Sequence, residues 1–289
     1  FELTTHLPSG YAAVQPWNLE KIEAPAAWHI QTETDTLVVS VLDTGIDWTH
    51  PDLVNHIWQN LAEDKDNDGQ TIQYISGQWV LDPDDLDGDD NDNNGFVDDL
   101  IGWDFANDDN NPFDDIGHGT HVGGIISADV NNTNEDHFGV SWNTNLMPLK
   151  IFKSNGTSRA SAIARAIIYS ADNGAEISNN SWGGRRSSQV VFDALDYAGD
   201  VGQLIVCAAG NNGFDNDAFG VYPANFPRDF VISVGASDIY DSIAHFSHYG
   251  QTTVDLFAPG DTIFSTVPNG LFDTKSGTSM ATPHVTAAA

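Results

Sequence analysis

The chain has 289 residues, of which 40% are hydrophobic and 18% are charged. This is enough apolar material for a buried core, and the composition differs from that of a disordered chain. Its 42 acidic and 10 basic residues give a formal net charge of −32, which argues against binding to nucleic acids or to anionic membranes.

The excess of acidic residues has two interpretations. Some of the carboxylates could hold calcium, and the others could keep the protein soluble in salty or cold water; the composition does not separate salt from cold. Cys207 is the single cysteine, so the chain can form no internal disulfide. Its apolar neighbours predict a small buried side chain, and metal ions are the obvious substitute for disulfides.

The predicted elements alternate between strands and helices. A short amphipathic helix is expected over 19–28, followed by a buried strand over 36–42 that ends at Asp43. Further strand-like runs lie at 146–152, 204–209, 230–235 and 254–258, and helical patterns lie at 118–128, 158–173 and 189–199. This alternation predicts an α/β fold with a doubly wound, mostly parallel central sheet and helices on both faces. Sites in such folds form beyond the carboxyl ends of strands, where Asp43 and Asn211 both lie.

Residues 63–115 form an acidic insertion within what we expect to be one domain over 1–289. The insertion holds Glu63 and seventeen aspartates against one base, Lys65. A loop of this length in a compact domain is functional or disordered.

Two segments of the insertion match the start of a calcium-binding loop, in which oxygen ligands alternate before a glycine that permits a sharp turn. The first presents Asp64, Asp66 and Asp68 before Gly69. The second presents Asp90, Asp92 and Asn94 before Gly95, followed by Phe96 and Asp98 at the seventh and ninth positions. Both segments have isoleucine at the twelfth position, so neither is a complete EF-hand loop. A solvated acidic loop is the alternative, although so many adjacent carboxylates repel one another without a cation.

Three further segments carry the residue types of nucleophilic catalysis: 41–47 around Asp43, 117–124 around His118 and 277–284 around Ser279. A serine hydroxyl needs an adjacent base, a histidine can take its proton near neutral pH, and a buried carboxylate fixes the histidine tautomer. Each residue alone has a structural explanation, such as a turn or a helix cap. Together they occur in the order Asp, His, Ser.

These three segments resemble the signature motifs of the subtilisin-like serine proteases (subtilases), and the resemblance extends from about Trp17 to Ala289. It implies a secreted serine endopeptidase in which Asp43 orients His118, His118 acts as the general base and Ser279 is the nucleophile. It also implies an oxyanion hole formed by the Asn211 side chain and the Ser279 backbone N–H.

The resemblance implies further sites. Ser181, Trp182 and Gly183 would pair with an extended polypeptide substrate. Ala208, Ala209 and Gly210 would line the pocket for the side chain before the cut, and Val221 would shorten that pocket or serve only as core packing. Insertions similar to 85–105 occur in some calcium-binding subtilases, so more than one structural calcium is expected. Asp52 matches a family calcium ligand whose partner loop would lie near 131–134.

Some positions depart from the family pattern. Thr286 and Ala287 replace the usual Ala and Gly, and the chain stops ten residues after Ser279, so we expect a truncated C-terminus. We also expect a monomer whose signal and pro-segments have been removed. The main alternative is a calcium-dependent binding or structural module with an inactive triad. A glycosidase with paired carboxylates is another alternative, but the clustering of acids in calcium-like loops argues against it.

Overall fold

The computed structural model describes residues 7–8, 11, 16–30, 37–130 and 137–289. Its helices are α1 (Trp17–Lys21), α2 (Ala24–Trp28), α3 (Gly119–Ser127), α4 (Ala160–Asp172), α5 (Gln189–Asp200) and α6 (Thr278–Ala288). The strands are β1 (Val38–Asp43), β2 (Ile72–Ile75), β3 (Gln78–Leu81), β4 (Trp103–Asp104), β5 (Asn145–Lys150), β6 (Ile177–Asn180), β7 (Leu204–Ala208), β8 (Val231–Ser237), β9 (Leu256–Pro259), β10 (Ile263–Val267) and β11 (Leu271–Lys275).

Seven strands form one parallel sheet in the order β4-β5-β1-β6-β7-β8-β9. The chain starts near the middle of the sheet and builds outwards in both directions, which confirms the predicted doubly wound α/β architecture. Two antiparallel hairpins, β2-β3 and β10-β11, lie outside this sheet.

Each face of the sheet is covered by helices. Val39 and Val41 of β1 pack into a core that also contains residues of α3 and α6. Leu42, the next residue along, packs into the opposite core with residues of α4 and α5. Successive side chains of a strand point to opposite faces, so a strand buried on both sides becomes a continuous apolar run. The single cysteine, Cys207, is fully buried in the second core.

The sequence predicts one helix over 19–28, but the structure has two short helices in this region. Glu23 between them has a left-handed φ of 56°, and Pro25 lies at the start of α2. A left-handed residue ends one helix, and proline is favoured in the first turn of the next.

Strand β6 is missing from the sequence prediction because it holds Ser178, Asn179 and Asn180, which carry no apolar signal. All three are buried and bonded through their side chains. Thr286 in α6, for example, donates its hydroxyl proton to Asn179 Oδ1 at 2.8 Å. No helix in the described part of the chain has the length and hydrophobicity to cross a membrane.

Candidate active site

The neighbouring strands β1, β6 and β7 bring three predicted site regions to one edge of the sheet. Asp43 is the last residue of β1, Ser181 directly follows β6, and Asn211 lies three residues after β7. Because the strands are parallel, their carboxyl ends meet at this edge. The site residues that the sequence predicts after these strands therefore lie at one edge of the sheet, where sites form in such folds.

Asp43 and His118 are in direct contact. His118 Nδ1 lies 2.7 Å from Asp43 Oδ1, and the Asp43 side chain is only 1% exposed. A carboxylate oxygen accepts, so His118 carries its proton on Nδ1 and leaves Nε2 as the basic nitrogen. Burial lowers the pKa of His118, but the charge and hydrogen bond of Asp43 outweigh burial and hold this pKa above its usual 6.5.

Close packing of α3 against β1 allows this contact. A Cβ atom on Gly119 would lie 2.0 Å from the Gly45 carbonyl oxygen and 3.1 Å from Asp43 Cβ. Only glycine lets the two backbones approach so closely. Gly119, directly after His118, therefore serves the contact with the strand that ends at Asp43.

A buried carboxylate that the sequence analysis missed, Asp114, organises the turn before His118. It accepts hydrogen bonds from the N–H groups of Ile116, Gly117 and Thr120 at 2.8–3.0 Å and from the Thr120 hydroxyl at 2.7 Å. The Thr44 hydroxyl also donates to it at 2.8 Å and accepts the Gly119 N–H at 2.9 Å. The feature of the sequence that could have revealed Asp114 is its position four residues before His118.

Lys150 is a second residue that the sequence did not single out. Its side chain is 2% exposed, and Nζ donates to the Thr44 carbonyl at 2.7 Å and to Asp115 at 2.8 Å. A buried ammonium needs such partners. Lys150 thus ties the turn after Asp43 to the loop that precedes His118.

Ser279 is the second residue of α6, and it bonds to Ser181. The Ser279 hydroxyl donates to the Ser181 carbonyl at 3.0 Å, while the Ser181 hydroxyl donates to the Ser279 carbonyl at 2.8 Å. In the described part of the chain, Ser279 Oγ makes this bond rather than one to His118. Catalytic hydrogen bonds are often formed only when substrate is bound.

The side-chain amide of Asn211 has a fixed orientation. Its Oδ1 accepts both the N–H of Thr278 at 2.7 Å and the hydroxyl of Thr278 at 2.9 Å. Among the described residues Nδ2 has no hydrogen-bond partner, and a Cβ built on Gly277 would lie 3.4 Å from it. The Ser279 N–H lies in the first turn of α6, where backbone N–H groups have no partner within the helix. Two donors thus lie at one helix start.

The predicted substrate residues lie together beside this point. A Cβ on Gly183 would lie 2.6 Å from Val221 Cγ1 and 3.9 Å from the Ala208 carbonyl oxygen. Ala208 and Ala209 are buried, and Gly210 donates its N–H to the Thr278 hydroxyl at 3.1 Å. Trp182 and Gly183 line a cavity of about 280 Å³.

The acidic insertion brings carboxylates together across the sequence. One oxygen each of Glu63, Asp92 and Asp99 lies within 4.8 Å of the others. Two oxygens bound to one calcium lie at most about 5 Å apart, so this spacing suits the ion. Glu63 is fully buried, and its Oε2 has no hydrogen-bond partner among the described residues. Burial, with a contribution from the charge of Asp92, raises the pKa of Asp99 to about 7.

A second region of the insertion contains two overlapping groups, Asp64–Asp66–Asp85 and Asp66–Asp68–Asp82, with the same spacing. Asp85 is fully buried, and its Oδ2 has no partner in the described ranges. Burial also raises the pKa of Asp85. The sequence found the three exposed or half-buried acids of this region, but it missed the two buried acids, Asp82 and Asp85.

The other predicted metal ligands have different surroundings. Asp90 accepts the N–H groups of Asn94 and Gly95, and Asp98 accepts that of Gly88, so these residues shape their turns. Asn94 donates its side-chain amide to Asp92 and Asp99.

The remaining two predicted metal ligands are Phe96 and Asp52. The Phe96 ring packs edge-on against Trp103, Phe105 and Tyr169. Asp52 is buried, and its expected partner loop near 131–134 lies outside the described residues.

Comparison with known proteins agrees with this architecture. Residues 34–289 match the model of the subtilase family. The chain is 37% identical over 259 residues to a thermophilic serine proteinase of Bacillus sp. (strain AK1), covering 90% of this chain and 52% of that protein. It is 30% identical over 275 residues to thermitase of Thermoactinomyces vulgaris, covering 95% and 81%. It is 34% identical over 277 residues to an intracellular serine protease of Paenibacillus polymyxa, covering 94% and 71%.

A crystal structure of a cold adapted subtilisin-like serine proteinase superposes with a TM-score of 0.65 at 25% identity, covering 94% of this chain and 82% of that one. The chain spans about half the length of the thermophilic proteinase, but it covers more than two thirds of thermitase. The family match extends over most of its residues, and the chain therefore belongs to the subtilase family.

Proposed function

We propose that the chain is the peptidase domain of a secreted serine endopeptidase that hydrolyses peptide bonds with Asp43, His118 and Ser279. The observation that carries the proposal is the 2.7 Å contact between His118 and the buried Asp43, with Ser279 at the same edge of the sheet. Family membership and relatives that are serine proteases support the activity.

The mechanism follows from these groups. Rotation of the Ser279 side chain exchanges the Ser181 carbonyl for His118 Nε2, which takes the hydroxyl proton as Oγ attacks the substrate carbonyl. Asn211 Nδ2 and the Ser279 N–H donate to the resulting oxyanion. His118 then gives its proton to the leaving amine, and the acyl-enzyme forms. Water, deprotonated by the same nitrogen, releases the acid and restores Ser279.

The test is casein hydrolysis by the purified chain, combined with labelling by a serine-reactive phosphonate. Ser279→Ala should abolish both the hydrolysis and the covalent label. Ser276→Ala is a matched control, since its hydroxyl bonds to Asp261 and does not contact Ser181. Hydrolysis that survives Ser279→Ala would contradict the proposal, and a folded parent that never takes the label would favour the binding module with an inactive triad.

The proposal includes structural calcium in the acidic insertion. The buried, unpartnered oxygens of Glu63 and Asp85, within the described part of the chain, fit this ion because each would otherwise stay unsatisfied. Glu63, Asp92 and Asp99 would hold one ion, and Asp64, Asp66 and Asp85 a second. These ligands would staple a long loop in a chain without disulfides.

Chelation with excess EGTA should lower the melting temperature by roughly 5–10 °C, since a ligand at about 100 times its Kd contributes about 2.7 kcal/mol. Glu63→Gln should weaken calcium binding measured by titration calorimetry. Glu20→Gln, outside the insertion, should leave it unchanged. An equal melting temperature with calcium and with EGTA would exclude a stabilising ion.

Secretion is proposed separately from the activity, because family membership alone does not determine it: one of the relatives is an intracellular serine protease. Calcium sites of modest affinity fill at the calcium concentrations found outside cells, which supports an extracellular location. Detection of the mature protein in the culture medium of its source organism, and not in washed cells, would test it.

A further inference from the structure

The basic residues are few, and half of them have no acidic partner among the residues that the structure describes. Ion pairs hold five of the ten, namely Lys21, Lys65, Lys150, Arg165 and Arg228. Within the described part of the chain, no carboxylate lies within ion-pair distance of the other five, namely Lys153, Arg159, Arg185, Arg186 and Lys275. In a chain with 42 acids, unpaired cations need an explanation, because the surrounding field favours pairing.

Three of the unpaired cations lie on one side of the cleft. Arg186 lines the 280 Å³ cavity that Trp182 and Gly183 border. Ser158 lines this cavity and also a neighbouring one of about 560 Å³, which Lys153 and Arg159 border.

Among the described residues, neither cavity offers these cations a free carboxylate. The described residues that border the smaller cavity include no acid. Of the described acids, Asp108 borders the larger cavity, and it is bound to Arg165 at 3.0 Å.

The other two unpaired cations are Arg185 and Lys275. The Arg185 guanidinium stacks on the rings of Phe214 and Phe219, 5.0 and 5.6 Å from their centroids. This contact fixes the Arg185 guanidinium without neutralising its charge, and Arg185 directly precedes Arg186, which borders the smaller cavity. Lys275 precedes the segment of Ser279, and its charge lowers the pKa of His118, which places it within electrostatic reach of the site.

Four of these cations form a positive rim beside the predicted substrate residues of a strongly negative protein. The rim consists of Lys153, Arg159, Arg185 and Arg186. Long-range repulsion alone would make an acidic polypeptide a poor substrate of a protein with charge −32. Fixed cations inside a cleft act at short range, where screening is weakest. A carboxylate that enters the groove would pair with the rim without displacing an existing acidic partner.

We propose that this cleft selects polypeptide segments that carry Asp or Glu several residues before the cleaved bond. The inference rests on the proposed function, because a substrate strand that pairs with Ser181–Gly183 continues past Trp182 towards the two cavities. The substrate class is therefore acidic polypeptide, and the rim residues act as specificity determinants without contacting the reacting atoms.

The test uses internally quenched peptides that share the residues next to the cleaved bond and carry Glu, Gln or Lys at the fourth to sixth positions before it. At low salt the Glu peptide should have a kcat/KM about tenfold above that of the Gln peptide, the size that a few exposed ion pairs give. The preference should largely disappear in 1 M NaCl, where the screening length is about 3 Å. A Gln or Lys peptide cleaved as fast as the Glu peptide at low salt would overturn the proposal.

Single variants test whether the rim residues cause the preference for the Glu peptide. Lys153→Gln and Arg186→Gln should each reduce the Glu-over-Gln preference roughly two- to threefold, because each variant removes one cation of the rim. Lys21→Gln, which removes an equal charge far from the two cavities, should keep the full preference. Equal preferences in all variants would refute the assignment to the rim.

A binding measurement tests the preference for acidic peptides independently of peptide hydrolysis. In the Ser279→Ala variant, the Glu peptide should still bind more tightly than the Gln peptide, because recognition does not need the nucleophile. Equal Kd values would overturn the acidic preference even if casein is hydrolysed. Tighter binding of the Glu peptide without any hydrolysis by the parent would support the rim and contradict the peptidase.

Discussion

Replacement of Asp43 by Asn tests the central contact of the site. The change keeps the shape of the side chain and removes its charge. An Asn amide can donate to His118 Nδ1, which then places the imidazole proton on Nε2, where it faces the serine and blocks general-base action. We expect kcat/KM to fall by about 10⁴-fold.

The structure accounts for a loss of this size. Two unit charges 2.7 Å apart interact by about 6 kcal/mol at an effective permittivity of about 20. A 10⁴-fold change in rate corresponds to about 5.5 kcal/mol. Loss of the interaction between Asp43 and the imidazolium that forms during attack would therefore account for nearly the whole expected fall in kcat/KM.

The assay is peptide hydrolysis by Asp43→Asn and, as a matched control, by Asp47→Asn. Asp47 is equally buried, but its carboxylate accepts hydrogen bonds from Thr49 and Asn269 and does not contact His118. The control should keep the parent's rate per folded molecule. A loss below about tenfold in Asp43→Asn, with the fold intact by circular dichroism, would refute the assigned role.

Three further predictions follow from the same geometry. Because the pKa of His118 lies above 6.5 and the base must be neutral, kcat/KM should fall as pH drops through a value above 6.5; a midpoint below 6.5 in the pH profile would contradict this. Gly119→Ala should cut activity by more than about 10²-fold, since its Cβ would overlap the Gly45 carbonyl, whereas Gly123→Ala meets only side-chain carbons at 3.3–3.4 Å and should be tolerated in the same assay. Lys150→Met should lower the free energy of unfolding by roughly 2–4 kcal/mol, because two bonds from a buried ammonium are lost; urea denaturation with an unchanged midpoint would count against it.

Local sequence predicts the parts of this protein that depend on contiguous residues. The strand before Asp43 is a run of apolar residues because both faces of the sheet are covered. Its burial can therefore be predicted from the local sequence. The motifs around Asp43, His118 and Ser279 are equally local. The doubly wound order then places the ends of neighbouring strands at one edge, which makes the location of the cleft predictable as well.

Other features exist only after folding. Glu63 meets Asp92 and Asp99, and Asp85 meets Asp64 and Asp66, across intervals that no loop motif spans. The sequence motifs find acids that alternate within a few residues, and they miss acids that join from a neighbouring turn.

The proposed catalytic groups show both contributions. The sequence alone was enough to predict Asp43, His118 and Ser279, because each lies in a short run of residues that resembles a family motif. Only the tertiary structure decided that Asp114 and Lys150 hold the turns between them and that unpaired cations gather along the cleft. Hydrogen bonds and charges act between neighbours in space, and a separation of 70 or more residues leaves no pattern along the chain.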